Sequence, residues 1–237
     1  MNSVYTLTLR QLSGRWRLVI MSVLASLPVL MAVILVRSVR APSVEEFELV
    51  VLNAMLAGSV SPLVVLAVAS VAFANEIEDR TLANLTLSPI PRWQIVVPKL
   101  LAAVTVSGPF IAISAFFTSY VAFNGDMTAT VAVTVSAFVG VALYSSAFVW
   151  LGLVTTRAIG FGLLYVVLWE GYFSGFVSGV RFLSIRYHSI ALMRGFDTRR
   201  FIATDDVSFG FAIGASVVVF VGFLLLSVRR LRRMDVP

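Results

Sequence analysis

The 237-residue chain contains no cysteine, a single histidine (His188) and a single lysine (Lys99). Without cysteine there can be no disulfide, no thiolate metal ligand and no cysteine nucleophile, and the redox compartment stays open. One histidine is too few to build an imidazole metal site within one copy, so His188 reads as a structural hydrogen-bonding residue. Charge is also scarce: Asp, Glu, Lys and Arg make up 13% of the residues, against about a quarter in soluble domains. The motif G-x-x-x-x-G-K-[ST] does not occur, so this chain cannot cradle nucleotide phosphates in a P-loop. Neither G-x-S-x-G nor H-E-x-x-H is present, which removes the commonest hydrolase signatures.

What the chain has in abundance is apolar sequence, 59% of its residues, and its mean hydropathy is +0.96. These values predict an all-α integral membrane protein. Apolar runs at residues 18–36, 49–74, 96–123, 128–154, 158–179 and 207–228, charged only at Lys99 and Glu170, are each long enough to cross about 30 Å of hydrocarbon at 1.5 Å per residue. Six spans in a single transmembrane domain, residues 1–237, follow. Pro28, Pro62 with Gly58, and Pro109 fall inside spans and predict bends. Glu45, Glu46 and Glu48 fall in the polar loop before the second span. Asn-Gly-Asp-Met at 124–127 predicts a tight hairpin between the third and fourth spans. Ahead of the first span, Tyr5, Leu9, Leu12 and Trp16 recur at helical spacing, so residues 1–17 are expected as an amphipathic interfacial helix.

The net charge of +6 does not indicate nucleic acid, because the arginines cluster at the ends of apolar runs, where anionic lipid headgroups attract them. Eleven of the 18 Lys and Arg fall on the side of the termini, and the positive-inside rule then places both termini in the cytoplasm. The exception is the loop 180–206, with Arg181, Arg186, Arg194, Arg199 and Arg200 on the outer side. Its interspersed apolar residues predict short re-entrant or interfacial helices, with the arginines meeting headgroups or solvating the loop.

Between the second and third runs lies Asn75 to Lys99, NEIEDRTLANLTLSPIPRWQIVVPK, which carries six charges. Glu76, Glu78 and Asp79 sit where acids favour the positive end of a helix dipole, and Arg80 follows. Glu78, Thr81 and Asn84 are spaced to share a polar face, opposite Leu82, Leu85 and Leu87. Pro89 and Pro91 end this helix, and Pro91 can start the next, which makes Pro89, Pro91 and Arg92 a rigid elbow.

The pattern E-x-E-x-x-T-L, then S-P-x-x-R and a lysine entering the next span, resembles the coupling segment of type-2 ABC exporter permeases. Here it comprises Glu76, Glu78, Thr81, Leu82, Ser88, Pro89, Arg92 and Lys99, and Arg80 stands where many relatives have glycine. The resemblance implies that residues 75–95 form a cytoplasmic coupling segment that docks into a separate ATPase subunit through Glu76, Glu78, Asp79, Arg80, Thr81, Asn84 and Leu85. It further implies short external helices between the fifth and sixth spans and a second permease subunit, identical or similar. No cofactor belongs to this chain; ATP and Mg would be held by the ATPase partner. The expected location is the cytoplasmic membrane, with lipids as partners and no nucleic acid.

Glu170 is the one acid well inside a span, where a charge costs about 2.5–3.5 kcal/mol or more, so it should face protein or water. With Ser174 one turn away it reads either as part of a substrate path or as a buried structural acid. Gly171, Gly175 and Gly179, and Gly210 with Gly214, are spaced to allow close helix packing. Two other functions stay open at this point: a gradient-driven secondary transporter using Glu170, and a lipid-modifying membrane enzyme using Arg194 to Arg200 with Glu170 or Asp205. The lack of a recognisable nucleophile and base pair counts against the enzyme.

Overall fold

A computed structural model describes residues 2–38, 43–78, 91–176, 178–201 and 207–233. Among the described residues there is no strand, and six helices are long and apolar enough to cross a membrane: Arg15–Val36, Val44–Ala74, Trp93–Ala122, Met127–Val154, Ala158–Phe176 and Phe209–Arg233. They match the six runs of the sequence within a few residues at most ends.

The differences have local causes. The amphipathic helix is Asn2–Leu12 rather than 1–17, because Gly14 interrupts it and begins the first span. Tyr5 and Leu9 pack against the core and Leu12 is fully buried, whereas Trp16 turns outward on the first span. The Tyr5 hydroxyl donates to Thr105 Oγ1 at 3.1 Å, which docks this helix on the third span. The second span begins at Val44, so Glu45, Glu46 and Glu48 are helical and not part of a loop. Ser43 starts it with a reciprocal cap: the Glu46 amide donates to Ser43 Oγ at 3.1 Å and the Ser43 amide to Glu46 Oε2 at 3.0 Å.

That second span is not uniform. Glu48–Val60 is a π-helical stretch, Ser61–Ala69 is α-helical, and the chain turns at Ser70 before Val71–Glu78. Pro62 falls at the second residue of the α segment, so the helical bond that its missing donor cannot make is lost where the bonding changes from π to α. The hairpin between the third and fourth spans is as tight as its sequence indicates. Asn124 (φ 52°) and Gly125 (φ 81°) occupy the left-handed region, and Asp126 accepts from the amides of Thr128 and Ala129.

The second, third and fourth spans form the core, with 61%, 50% and 67% of their apolar windows buried, against 22%, 22% and 17% for the first, fifth and sixth. Close packing falls to glycines other than the expected ladder. A Cβ at Gly152 would collide with the Ser70 carbonyl oxygen, so the second and fourth spans meet backbone to backbone there. Gly175, Gly179, Gly210 and Gly214 have open space around them, because the fifth and sixth spans turn those faces away from the core.

Gly152→Leu is therefore expected to destabilise the fold by about 1–3 kcal/mol, the usual range for overpacking. Gly160→Ala, placed in open space in the fifth span, should leave the thermal unfolding midpoint in detergent unchanged or slightly raised.

Candidate functional site

Two buried polar clusters interrupt the apolar interior. The first lies where the second span hands over to the segment singled out by its charge. The helix Val71–Glu78 carries Asn75, Glu76 and Glu78, and the third span starts at Trp93 with Arg92 as its N-cap. The Pro91 carbonyl accepts from the Gln94 amide at 2.9 Å, so the second proline of the elbow leads directly into the helix. Asp79, Arg80, Thr81, Asn84, Leu85, Pro89 and Asp205, and the side chains of Asn75 and Glu78, lie outside the described residues.

Lys99, two turns into the third span, reaches back across the gap. Its Nζ is 2.5 Å from Glu76 Oε1 and donates to the Ala72 carbonyl at 2.5 Å, and it lies 4.3 Å from the centroid of the Phe73 ring. The lysine is fully buried. Residues 72, 73 and 76 share one turn of helix, so a single ammonium is gripped by a carboxylate, a carbonyl and an aromatic face. The first and last residues of the sequence motif, 23 positions apart, are thereby joined.

The second cluster centres on Glu170, also fully buried. Its Oε1 accepts from the Tyr165 hydroxyl at 2.8 Å and the Ile185 amide at 3.1 Å, and its Oε2 accepts from Ser184 Oγ. Tyr165 and Glu170 would sit roughly 140° apart on an α-helix of 3.6 residues per turn. The fifth span is π-helical over Tyr165–Phe173, and its i to i+5 bonding brings residues five apart onto one face. Ser174 does not reach the carboxylate; its hydroxyl donates to the Glu170 carbonyl at 2.6 Å.

Arg186, in the helix Ile185–Phe196 that follows the fifth span, completes the cluster. Its Nη1 donates to the Glu170 carbonyl at 2.9 Å and its Nε to Asn53 Oδ1 at 2.5 Å. Asn53 belongs to the π-helical stretch of the second span. A Cβ at Gly58 would lie 3.1 Å from two Arg186 side-chain carbons, so the absence of a side chain there makes room for the guanidinium. Two π-helical stretches and the connecting helix are thus tied together by one arginine. In the sequence Arg186 stood only as one loop charge among five, and Asn53 as a polar residue in an apolar run.

The rest of that loop is pinned to the neighbouring hairpins. Arg194 pairs with the buried Glu48 at 2.6 Å, and Arg200 pairs with Asp126 at 3.1 Å while lying over Phe123. Phe123 contacts Phe47 and Phe201 edge-on, which closes the corner. Two of the loop arginines expected to meet headgroups or water are therefore neutralised within the chain. Beside them a cleft of about 650 Å³ is lined by Asp126, Thr128, Asp197, Arg199 and Arg200, among others.

Six helices of spanning length, and a charged segment whose ends are clasped by Lys99 and Glu76, make a comparison with known families decisive. The family model for ABC-2 family transporter proteins matches residues 10–184. The chain belongs to the ABC-2 transporter family. The match takes in the first five spans, all of Asn75 to Lys99, and Glu170 through Ser184; Arg186 lies just beyond it. No curated protein matches the chain. As an ABC-2 permease the protein is a multi-pass membrane component of transport, in a family that associates with ABC ATPases.

Removing one partner from a buried charge cluster leaves the other uncompensated, at a cost of about 3–5 kcal/mol. Arg186→Met is expected to lower stability by that order, read as the unfolding midpoint of the purified permease. His188 offers a separate test. It is 1% exposed, its Nδ1 lacks a hydrogen-bond partner, and burial holds its imidazole below the usual histidine range. Between the folded and unfolded pKa values the unfolded chain binds more protons, so His188 should make stability fall as pH drops below about 6.5. The difference between wild type and His188→Phe, followed from about pH 7.5 to about pH 5, isolates that slope.

Proposed function

We propose that this permease is the transmembrane subunit of an ATP-driven exporter, moving its substrate outward across the cytoplasmic membrane by alternating access. The observation that carries this reading is the position of the coupling segment. It lies between the second and third spans, inside the family match, with its base closed by Lys99 and Glu76. Glu78, Asp79, Arg80, Thr81, Asn84 and Leu85 form the surface offered to the ATPase, Glu76 is turned instead to Lys99 at the base of the segment, and Pro89, Pro91 and Arg92 form the elbow that stiffens its return to the membrane. ATP and Mg reside in that partner, since this chain has no phosphate-binding loop of its own. Two permease subunits, identical or similar, enclose the pathway, and both termini face the cytoplasm.

Glu170 fits a structural role better than that of a proton carrier. It is engaged by a tyrosine hydroxyl, a serine hydroxyl and a backbone amide at once, a set that holds a carboxyl in place. Ser174 stabilises the same turn through the Glu170 carbonyl.

Purification of the tagged permease in mild detergent from its native membrane tests the reading. An ATPase subunit should co-purify at about 1:1, and Glu78→Ala with Thr81→Ala should release it while leaving the permease folded. Recovery of the wild-type permease alone, with transport persisting in vesicles free of ATP, would overturn it.

A further inference from the structure

We propose that the buried Lys99–Glu76 pair is a latch that makes the second and third spans move as one body when the coupling segment is displaced. The inference rests on the coupling reading above and adds the residues that transmit the stroke. Glu76 lies at the end of the second span's helical continuation, and Lys99 lies in the third span, 23 residues later in sequence and 2.5 Å away in space. The lysine also holds the Ala72 carbonyl and the Phe73 ring, so it grips a whole turn rather than one flexible carboxylate. It is the only lysine in the protein, and none of it is exposed.

Were the bases of the two spans to separate, the fully buried Lys99 ammonium would lose Glu76, the Ala72 carbonyl and the Phe73 ring together in a water-poor interior, which is strongly unfavourable. With Glu76, Ala72 and Phe73 all held by Lys99, a displacement of either span at this junction draws the other with it.

A structural pair and a transmitting latch differ in their double variant. A change at Glu76 alone takes the carboxylate from a fully buried lysine, but Glu76→Gln with Lys99→Met removes both charges of the pair while keeping volume, an exchange that is often neutral for folding. The absence of native cysteine permits clean labelling. Spin labels at Val36→Cys and Met127→Cys, exposed positions where the first span ends and the fourth begins, read the membrane face away from the coupling segment. The measurement is the distance distribution between them in the permease–ATPase complex, labelled permease diluted with unlabelled, in ADP and in ATP with vanadate.

The expected result is a nucleotide-dependent shift in the wild-type background and in Glu76→Asp with Lys99→Arg. In the uncharged double variant, Glu76→Gln with Lys99→Met, the shift should be lost while ATPase binding, ATP hydrolysis and thermal stability persist. An undiminished shift in that double variant would overturn the latch and leave the coupling reading standing. Failure of the wild-type chain to co-purify with any ATPase would remove the coupling reading and the latch with it.

Discussion

In hydrocarbon a charge must find its partner inside the protein, and this fold is arranged around two places where that demand is met. At one, Arg186 passes over Gly58 to reach Asn53 and the Glu170 carbonyl, close to the Glu170 carboxyl and its own three donors. At the other, Lys99 is held by Glu76, Ala72 and Phe73. Both clusters involve the second span. It is clasped near its start by the first and near its end by the second, so it connects the end of the bundle that bears Glu76 and Lys99 to the helix between the fifth and sixth spans.

The irregular helical stretches are part of this arrangement. The π-helical turns of the second and fifth spans pack on each other, and each carries a member of the Arg186 cluster. Their wider turn shifts the phase of the side chains, which is how Tyr165 and Glu170 come to face the same way. Bulky residues at Gly58 or Gly152 would work against the same geometry, the first by filling the arginine's path and the second by parting the second and fourth spans.

For an ABC-2 permease these features suggest a division of labour within one chain. The second, third and fourth spans form an enclosed body that can carry displacement as a unit. The first, fifth and sixth spans leave most of their apolar surface uncovered, available to lipid or to a second permease. The connecting helix is anchored to the enclosed body through Arg186 and Arg194, and Arg200, just beyond it, pairs with Asp126 at the hairpin between the third and fourth spans.

Hydropathy alone determined the membrane class, the number of spans and most of their limits, because burying about twenty apolar residues in a bilayer leaves few alternatives to a helix. The charge and proline pattern of Asn75 to Lys99 marked the segment that the family match contains. The partners were not legible. Glu76 and Lys99 are 23 positions apart, and Asn53 and Arg186 are 133, so no local period links them. Tyr165 and Glu170 would be assigned to different faces by any α-helical count, since a π-helical phase arises from packing against neighbours. The glycine ladder misled for a related reason: spacing shows that glycines can approach a neighbour, but only the orientation of each span in the bundle decides which of them do. Tertiary structure alone decided how the buried charges pair, because that choice is made between helices and not along them.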